Sequence, residues 1–178
     1  VGQILEGVTA VNADRVIVLP NNSNVRLAAE NAAAESTKDV RVIATSSVPE
    51  GIVAAFAFDA DRDIDANEEA MRGAIEGLAV GEIVRASRDA TVDGIAAAEG
   101  DFLALLDGQA FATSPDLEAV LDRLLDRFSQ DGRSFVQVLR GEGAPDAEEI
   151  ERRTAARGME ADVKWGGQPH YPLLLSAE

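Results

Sequence analysis

The residues with types and spacing suited to chemistry fall in a few short stretches. The first is "PNNSN", Pro20 to Asn24, set between the apolar run "RVIVL" and an alanine-rich run. A loop between a strand end and a helix start is where α/β sheets bind ligands, and a helix N-terminus attracts anions. A phosphate cradle, however, needs bare backbone, and this loop has no glycine. Neither G-x-G-x-x-G nor G-x-x-x-x-G-K-[ST] occurs in the sequence. Asparagine and serine oxygens bond nearby N–H groups, so the favoured reading is a turn and helix cap. The functional alternative is a polar contact surface formed by Asn21, Asn22 and Asn24.

The acidic run Asp59, Asp61, Asp63, Asp65 invites a calcium reading. Aligned on an EF-hand loop, position six needs glycine and is Ile64, and position twelve needs glutamate and is Ala70. Starting at Asp61, those positions become Ala66 and Arg72. A solvated helix start, with acids complementing the helix dipole, is the better reading. His170 is the only histidine, which leaves no histidine pair for a triad or a zinc site. It reads as a surface or half-buried residue beside Pro169. "WGGQPHYP", Trp165 to Pro172, concentrates glycines and prolines. Gly166 and Gly167 either give a ligand or partner access to backbone or make a tight link between strands; glycines alone do not separate these cases.

The composition narrows the partners. The chain has 178 residues, 32 acids against 16 bases and a net charge of −16. Such a surface repels phosphate backbones and anionic headgroups, which disfavours nucleic-acid and membrane binding and allows a basic protein partner. The absence of cysteine fits a cytoplasmic location and excludes thiolate metal sites. No run approaches the ~18 apolar residues of a membrane span. The first residue is Val1, which reads as part of a longer polypeptide. Aromatics are 4% of the residues, and the helices are alanine-rich, which predicts close packing without a ligand cavity.

The elements that must position these residues follow from periodicity. Leu5–Val11 reads as the close of a helix. Arg15–Leu19 reads as a strand buried on both faces, and Val40–Ala44 as a second strand. With the alanine-rich helix between them they make a βαβ unit with a parallel pair. Pro49 and Gly51 punctuate "SSVPEGIVAAFAF", and a short buried helix follows them. An amphipathic helix then carries Ile64, Met71, Ile75 and Leu78 on one face and exits at Gly81. "EIVRAS" and "VDGIAAA" read as strands, and "DFLALLDGQAFAT" as a hairpin turning at Asp107-Gly108. Ser114 caps the next helix with Pro115 at its first position. Its buried stripe is Leu117, Val120, Leu121, Leu124, Leu125 and Phe128. A strand "SFVQVLRG", a polar helix from Asp146 to Arg157 and two strands, "ADVKWGG" and "YPLLLSA", complete the chain. The fold class is α/β, a parallel βαβ half followed by a mixed half with antiparallel strands. It forms one domain or two packed lobes, 1–81 and 82–178.

Four segments, "NADRVIVLPNNSNVRLAAENAA", "VRVIATSSVPEGIVAAFAFD", "VRASRDATVDGIAAAEGDFLALLDG" and "GGQPHYPLLLSAE", carry a resemblance in order and spacing. Together they resemble the C-terminal region of the A-type polypeptide of bacterial fatty acid kinase, a dihydroxyacetone-kinase-like family. The resemblance implies a DegV-like fold. It implies a preceding kinase domain that binds ATP and magnesium, and a partner, a DegV-type protein that carries the fatty acid to be phosphorylated. The aspartate-glycine-aspartate cluster of the kinase domain is absent here, so the expectation is a non-catalytic module without a cofactor of its own. "TSSVPEG", Thr45 to Gly51, is loosely similar to the loop with which the carriers hold a fatty-acid carboxylate, but no lipid site is carried over to it. The expected function is docking or regulation, contacting the carrier and the rest of the kinase chain. A lipid-binding domain in its own right is the alternative. The contact residues expected are Asn21, Asn22 and Asn24; Ser46, Ser47 and Gly51; and Gly166, Gly167, Gln168 and Tyr171. The first two loops, each at the end of a parallel strand, should be neighbours.

Overall fold

The computed structural model describes all 178 residues, in two compact units, Val1–Gly77 and Leu78–Glu178. The first contains helix α1 (Gly2–Ala10), strand β1 (Arg15–Val18), helix α2 (Ser23–Glu35), strand β2 (Asp39–Val42) and helices α3 (Val48–Phe56) and α4 (Ile64–Ile75). β1 and β2 pair in parallel from Arg15 opposite Asp39 to Val18 opposite Val42. Asn22 caps α2 by accepting a bond from the Asn24 N–H at 2.9 Å. The small Ala29 and Ala32 form the buried face of α2, which lets it lie close to β2. Ile43, Ala54 and Met71 make the core, with Ile17, Leu19 and Ile75 against it. The Lys38 ammonium donates to the carbonyls of Val8 and Thr9, satisfying the open end of α1.

Several expectations change here. β1 is buried only at Val16, because the sheet has two strands and cannot be covered as a central strand would be. Pro49 and Gly51 lie inside the first turns of α3, not before it; proline is tolerated there because the first N–H groups have no intrahelical partner. α4 ends at Ile75, so Leu78 lies outside it, and the position buried beside Met71 is Asn67. The Asn67 amide accepts from the Asp59 N–H and donates to the Asp59 and Asp63 carbonyls, at 2.8, 2.8 and 3.0 Å. A polar side chain is stable there because its bonds are made.

The second unit is a six-stranded sheet with helices. In chain order it holds β3 (Ala79–Arg85), β4 (Ala90–Val92), β5 (Ile95–Ala97), β6 (Phe102–Leu106), β7 (Gln109–Ser114) and α5 (Leu117–Gln130). β8 (Phe135–Arg140), α6 (Ala147–Ala155), β9 (Glu160–Trp165) and β10 (Leu173–Ala177) follow. The sheet order is β7-β6-β3-β10-β8-β9; β8 and β9 are parallel and the other pairs antiparallel. β10 is buried along its whole length. The stripe expected on α5 is buried at all six positions and packs on this sheet.

Gly81, expected as a helix exit, lies inside β3. A Cβ there would stand 3.2 Å from both Leu124 and Phe128, so the bare Cα lets α5 approach the sheet. The cap of α5 is Asp116, whose carboxylate accepts from the Glu118 N–H at 3.0 Å, while Ser114 ends β7. "VDGIAAA" is not one strand but the turn and second arm of a hairpin. Asp93 and Gly94 take φ of 50° and 83°, as Asp107 and Gly108 do at 50° and 78°. Both pairs are two-residue turns with positive φ, which Asp-Gly favours.

Candidate functional site

In the first unit the structure brings two of the expected loops together. Asn21 takes φ +55°, a conformation that asparagine tolerates. Its N–H donates to the Thr45 hydroxyl at 3.0 Å, and that hydroxyl donates to Asn21 Oδ1 at 2.9 Å. Thr45 is fully buried. The Asn21 amide lies directly over Gly51, where a Cβ would be 2.0 Å from Oδ1. The loop after β1 and the start of α3 are therefore locked by one side chain, one hydroxyl and one missing methyl. Thr45 is not among the residues that the sequence singles out, since a contact across 24 positions leaves no local trace.

The helix starts at this lock are already occupied. Asn22 caps α2. Ser47, itself buried, accepts from the Glu50 N–H at 3.3 Å and caps α3. The Glu50 carboxylate folds back onto the Ser46 N–H, close to the reciprocal arrangement of a capping box. A carboxylate at this position repels a second anion. The loop is thus a cap and lock rather than a phosphate cradle. Asn22, Asn24 and Ser46 remain exposed. In the acidic stretch Asp63 caps α4, Asp59 lies 3.3 Å from Arg62 and Asp65 lies 2.8 Å from Arg41.

The third loop belongs to the second unit and closes on the end of β8. Gly166 and Gly167 donate to the Arg140 carbonyl at 2.8 and 3.2 Å, and Gln168 Nε2 donates to the Leu139 carbonyl at 3.0 Å. The Gln168 carbonyl accepts from Glu142, and the Pro172 carbonyl from Gly141. A Cβ at Gly141 would stand 2.3 Å from the Tyr171 carbonyl oxygen, so Gly141 is the residue on which this loop is built. A Cβ at Gly166 would meet the Gln168 Oε1 atom at 2.3 Å, so the bare Cα leaves room for that amide. Tyr171 is 37% exposed, and Trp165 is 64% exposed, with the Arg140 guanidinium 5.9 Å from its ring. His170 is exposed beside them. A rigid link and an accessible surface are here the same feature.

Beside this loop, a hydrogen bond to Asp162 raises the pKa of Lys164 on β9, and the other perturbed titratable groups lie on α6. A hydrogen bond from Arg152, then one from Arg153, hold the Glu149 carboxyl below its usual range against burial. For Arg153, burial opposes the charge, and Asp122, Glu149 and Glu118 outweigh it and raise its pKa. Glu149 pairs with Arg152 and Arg153 within α6, and Arg153 joins α6 to Glu118 and Asp122 of α5. No three acids or histidines are grouped to hold a metal.

The expectation of close packing fails in the first unit, which has an apolar groove of about 520 Å³ between β1 and the α3–α4 segment. Its walls include Val16, Ile17, Leu19, Phe58, Ile64 and Met71. Few aromatics do not prevent a cavity when a two-stranded sheet leaves one side of a strand uncovered.

The whole chain, residues 1–178, matches the family model for the C-terminal domain of FakA-like (fatty acid kinase A-like) proteins. The chain belongs to this family. It is 35% identical over 179 residues to Protein YloV of Bacillus subtilis (strain 168), covering 98% of this chain and 32% of that protein. It is 30% identical over 168 residues to the Staphylococcus haemolyticus protein SH1689, covering 92% of this chain and 30% of that one. The chain thus spans about a third of the length of these relatives.

Among solved structures, the FakA-like domain superposes on the DegV family protein Cg2579 from Corynebacterium glutamicum with a TM-score of 0.68 at 13% identity, covering 99% of this chain and 79% of that one. The Streptococcus pneumoniae Fatty Acid Kinase (Fak) B3 protein, solved with linoleic acid, gives a TM-score of 0.65 at 11% identity, covering 99% and 75%. The fold is therefore α/β and DegV-like. No helix is long and apolar enough to cross a membrane.

Proposed function

We propose that this chain is the non-catalytic docking module of a fatty acid kinase A-type protein. It engages a DegV-type fatty-acid-binding protein while another part of the kinase, with ATP and magnesium, phosphorylates the fatty acid. The observation that carries the reading is the loop from Trp165 to Tyr171: a rigid backbone presenting the chain's one tryptophan at 64% exposure beside an exposed tyrosine. Exposed aromatics on a pre-formed loop are the residues on which protein interfaces concentrate their energy. Family membership names the kinase, and the fatty acids of DegV-fold neighbours suggest the carrier. The net charge of −16 favours a basic patch on the partner and encounter steered by electrostatics.

The test is carrier binding by the full-length kinase with Asn22→Ala, Asn24→Ala and Gly167→Val, each first shown to fold by circular dichroism. The reading expects weaker binding for at least one variant and a further loss with salt, as screening shortens to ~8 Å at physiological strength. Unchanged binding in all three, indifferent to salt, would leave the region a spacer. A second reading, acyl-chain binding by this chain itself, is favoured by the groove beside β1.

A further inference from the structure

β1 uses one edge and leaves the other open. The Asp14 and Val18 carbonyls accept from the N–H groups of Asp39 and Ile43 on the β2 side, at 3.0 and 3.1 Å. Alternate residues of an extended strand point their N–H and C=O groups to opposite sides. Arg15, Ile17 and Leu19 therefore point theirs away from β2, and the two-stranded sheet gives them no neighbour.

The apolar groove of about 520 Å³ runs along this side, with Val16, Ile17 and Leu19 on one wall and Phe58, Ile64 and Met71 among the opposite residues. Arg15 stands at it without an ion pair. The other arginines of the unit, Arg26, Arg41, Arg62 and Arg72, each meet a carboxylate. The side thus offers backbone donors and acceptors at strand spacing, apolar walls and one unneutralised cation.

We propose that the open edge of β1 takes up an extended apolar peptide strand, with an acidic residue opposite Arg15, supplied by the remainder of the same polypeptide. An acyl chain would fill the walls but leave the edge N–H and C=O groups unpaired. A peptide strand satisfies walls and edge together, as in β-strand addition. The length to supply one is present in the family, since this chain covers 32% of its Bacillus relative. This inference stands apart from the docking reading, because it concerns the first unit and an intramolecular partner.

The strand itself provides the control. Val18 faces β2, and Ile17 faces the open edge, so a free edge gives slow exchange at Val18 and fast exchange at Ile17. Residue-resolved hydrogen–deuterium exchange on the natural full-length polypeptide reads both amides. The proposal expects Ile17 to exchange at least tenfold more slowly than an unstructured amide. It also expects Arg15→Glu to restore fast exchange at Ile17 while Val18 stays slow. Three results would overturn it: fast exchange at Ile17 in the parent, protection at Ile17 that disappears on removal of bound lipid, or protection that depends on protein concentration, which would mean a second copy.

Discussion

Gly51→Ala tests the lock between the two loops of the first unit. In an ordinary helix this change stabilises by roughly 0.8–1 kcal/mol, because glycine is the poorer helix former. Here the new Cβ would lie 2.0 Å from Asn21 Oδ1 and 2.6 Å from Cγ, so the amide must swing away. That breaks the bond from the Thr45 hydroxyl to Asn21 Oδ1, while the backbone N–H of Asn21 keeps its bond to that hydroxyl. The lost bond contributes about 1 kcal/mol, and the buried hydroxyl hydrogen left without an acceptor costs about 1–3 kcal/mol more. After subtracting the propensity gain, the expected net loss is about 1–3 kcal/mol. In an Asn21→Gly background the obstruction is absent, and Gly51→Ala becomes stabilising by roughly 0.5–1 kcal/mol. Urea denaturation of the four proteins, followed by circular dichroism, gives a coupling of about 1.5–4 kcal/mol. A stabilising Gly51→Ala in the parent, or additive effects, would refute the lock.

Gly81→Val drives a side chain toward Leu124 and Phe128, 3.2 Å from the Cβ position, and should cost about 1–3 kcal/mol in denaturant unfolding. Asp116→Ala removes the cap of α5 and should cost about 1 kcal/mol, more than Ser114→Ala, by the same measurement. Glu149 has a lowered pKa in the folded state, so its contribution is present at neutral pH and lost as pH falls through the folded value. Glu149→Gln should flatten the acid limb of a stability–pH profile. The chain alone should bind no ATP, since it has no glycine-rich phosphate loop, and micromolar affinity by calorimetry with magnesium would contradict this.

Legibility in the sequence followed the range of the interactions. The α5 stripe could be read because six apolar residues at helical spacing face one sheet. The β6–β7 hairpin could be read because Asp107-Gly108 specifies its turn locally, and the same dipeptide at Asp93-Gly94 carries an equal signal inside a segment that reads as one strand. Gly51, Gly81 and Gly141 could not be interpreted, because what each accommodates comes from a distant segment: Asn21, Leu124 with Phe128, and Gln168 with Tyr171. Asn67 broke the apolar pattern of α4 because its partners are carbonyls of the loop before the helix. Of the expected contact residues, Asn22, Asn24 and Ser46 are exposed, whereas Ser47 is spent on a cap and Gly51 on the lock. The aromatic surface could be suspected from "WGGQPHYP", but the exposure of Trp165 depends on how the loop closes on Gly141.

The most direct test of the docking account is the steady-state kinetics of the full-length kinase with fatty acid presented on its DegV-type carrier. Trp165 and Tyr171 are exposed, so Trp165→Ala and Tyr171→Ala should leave the fold intact. The account predicts that the doubly substituted enzyme needs at least tenfold more carrier to reach half-maximal rate, with kcat retained at saturation. An unchanged requirement for carrier in a folded double variant would contradict it.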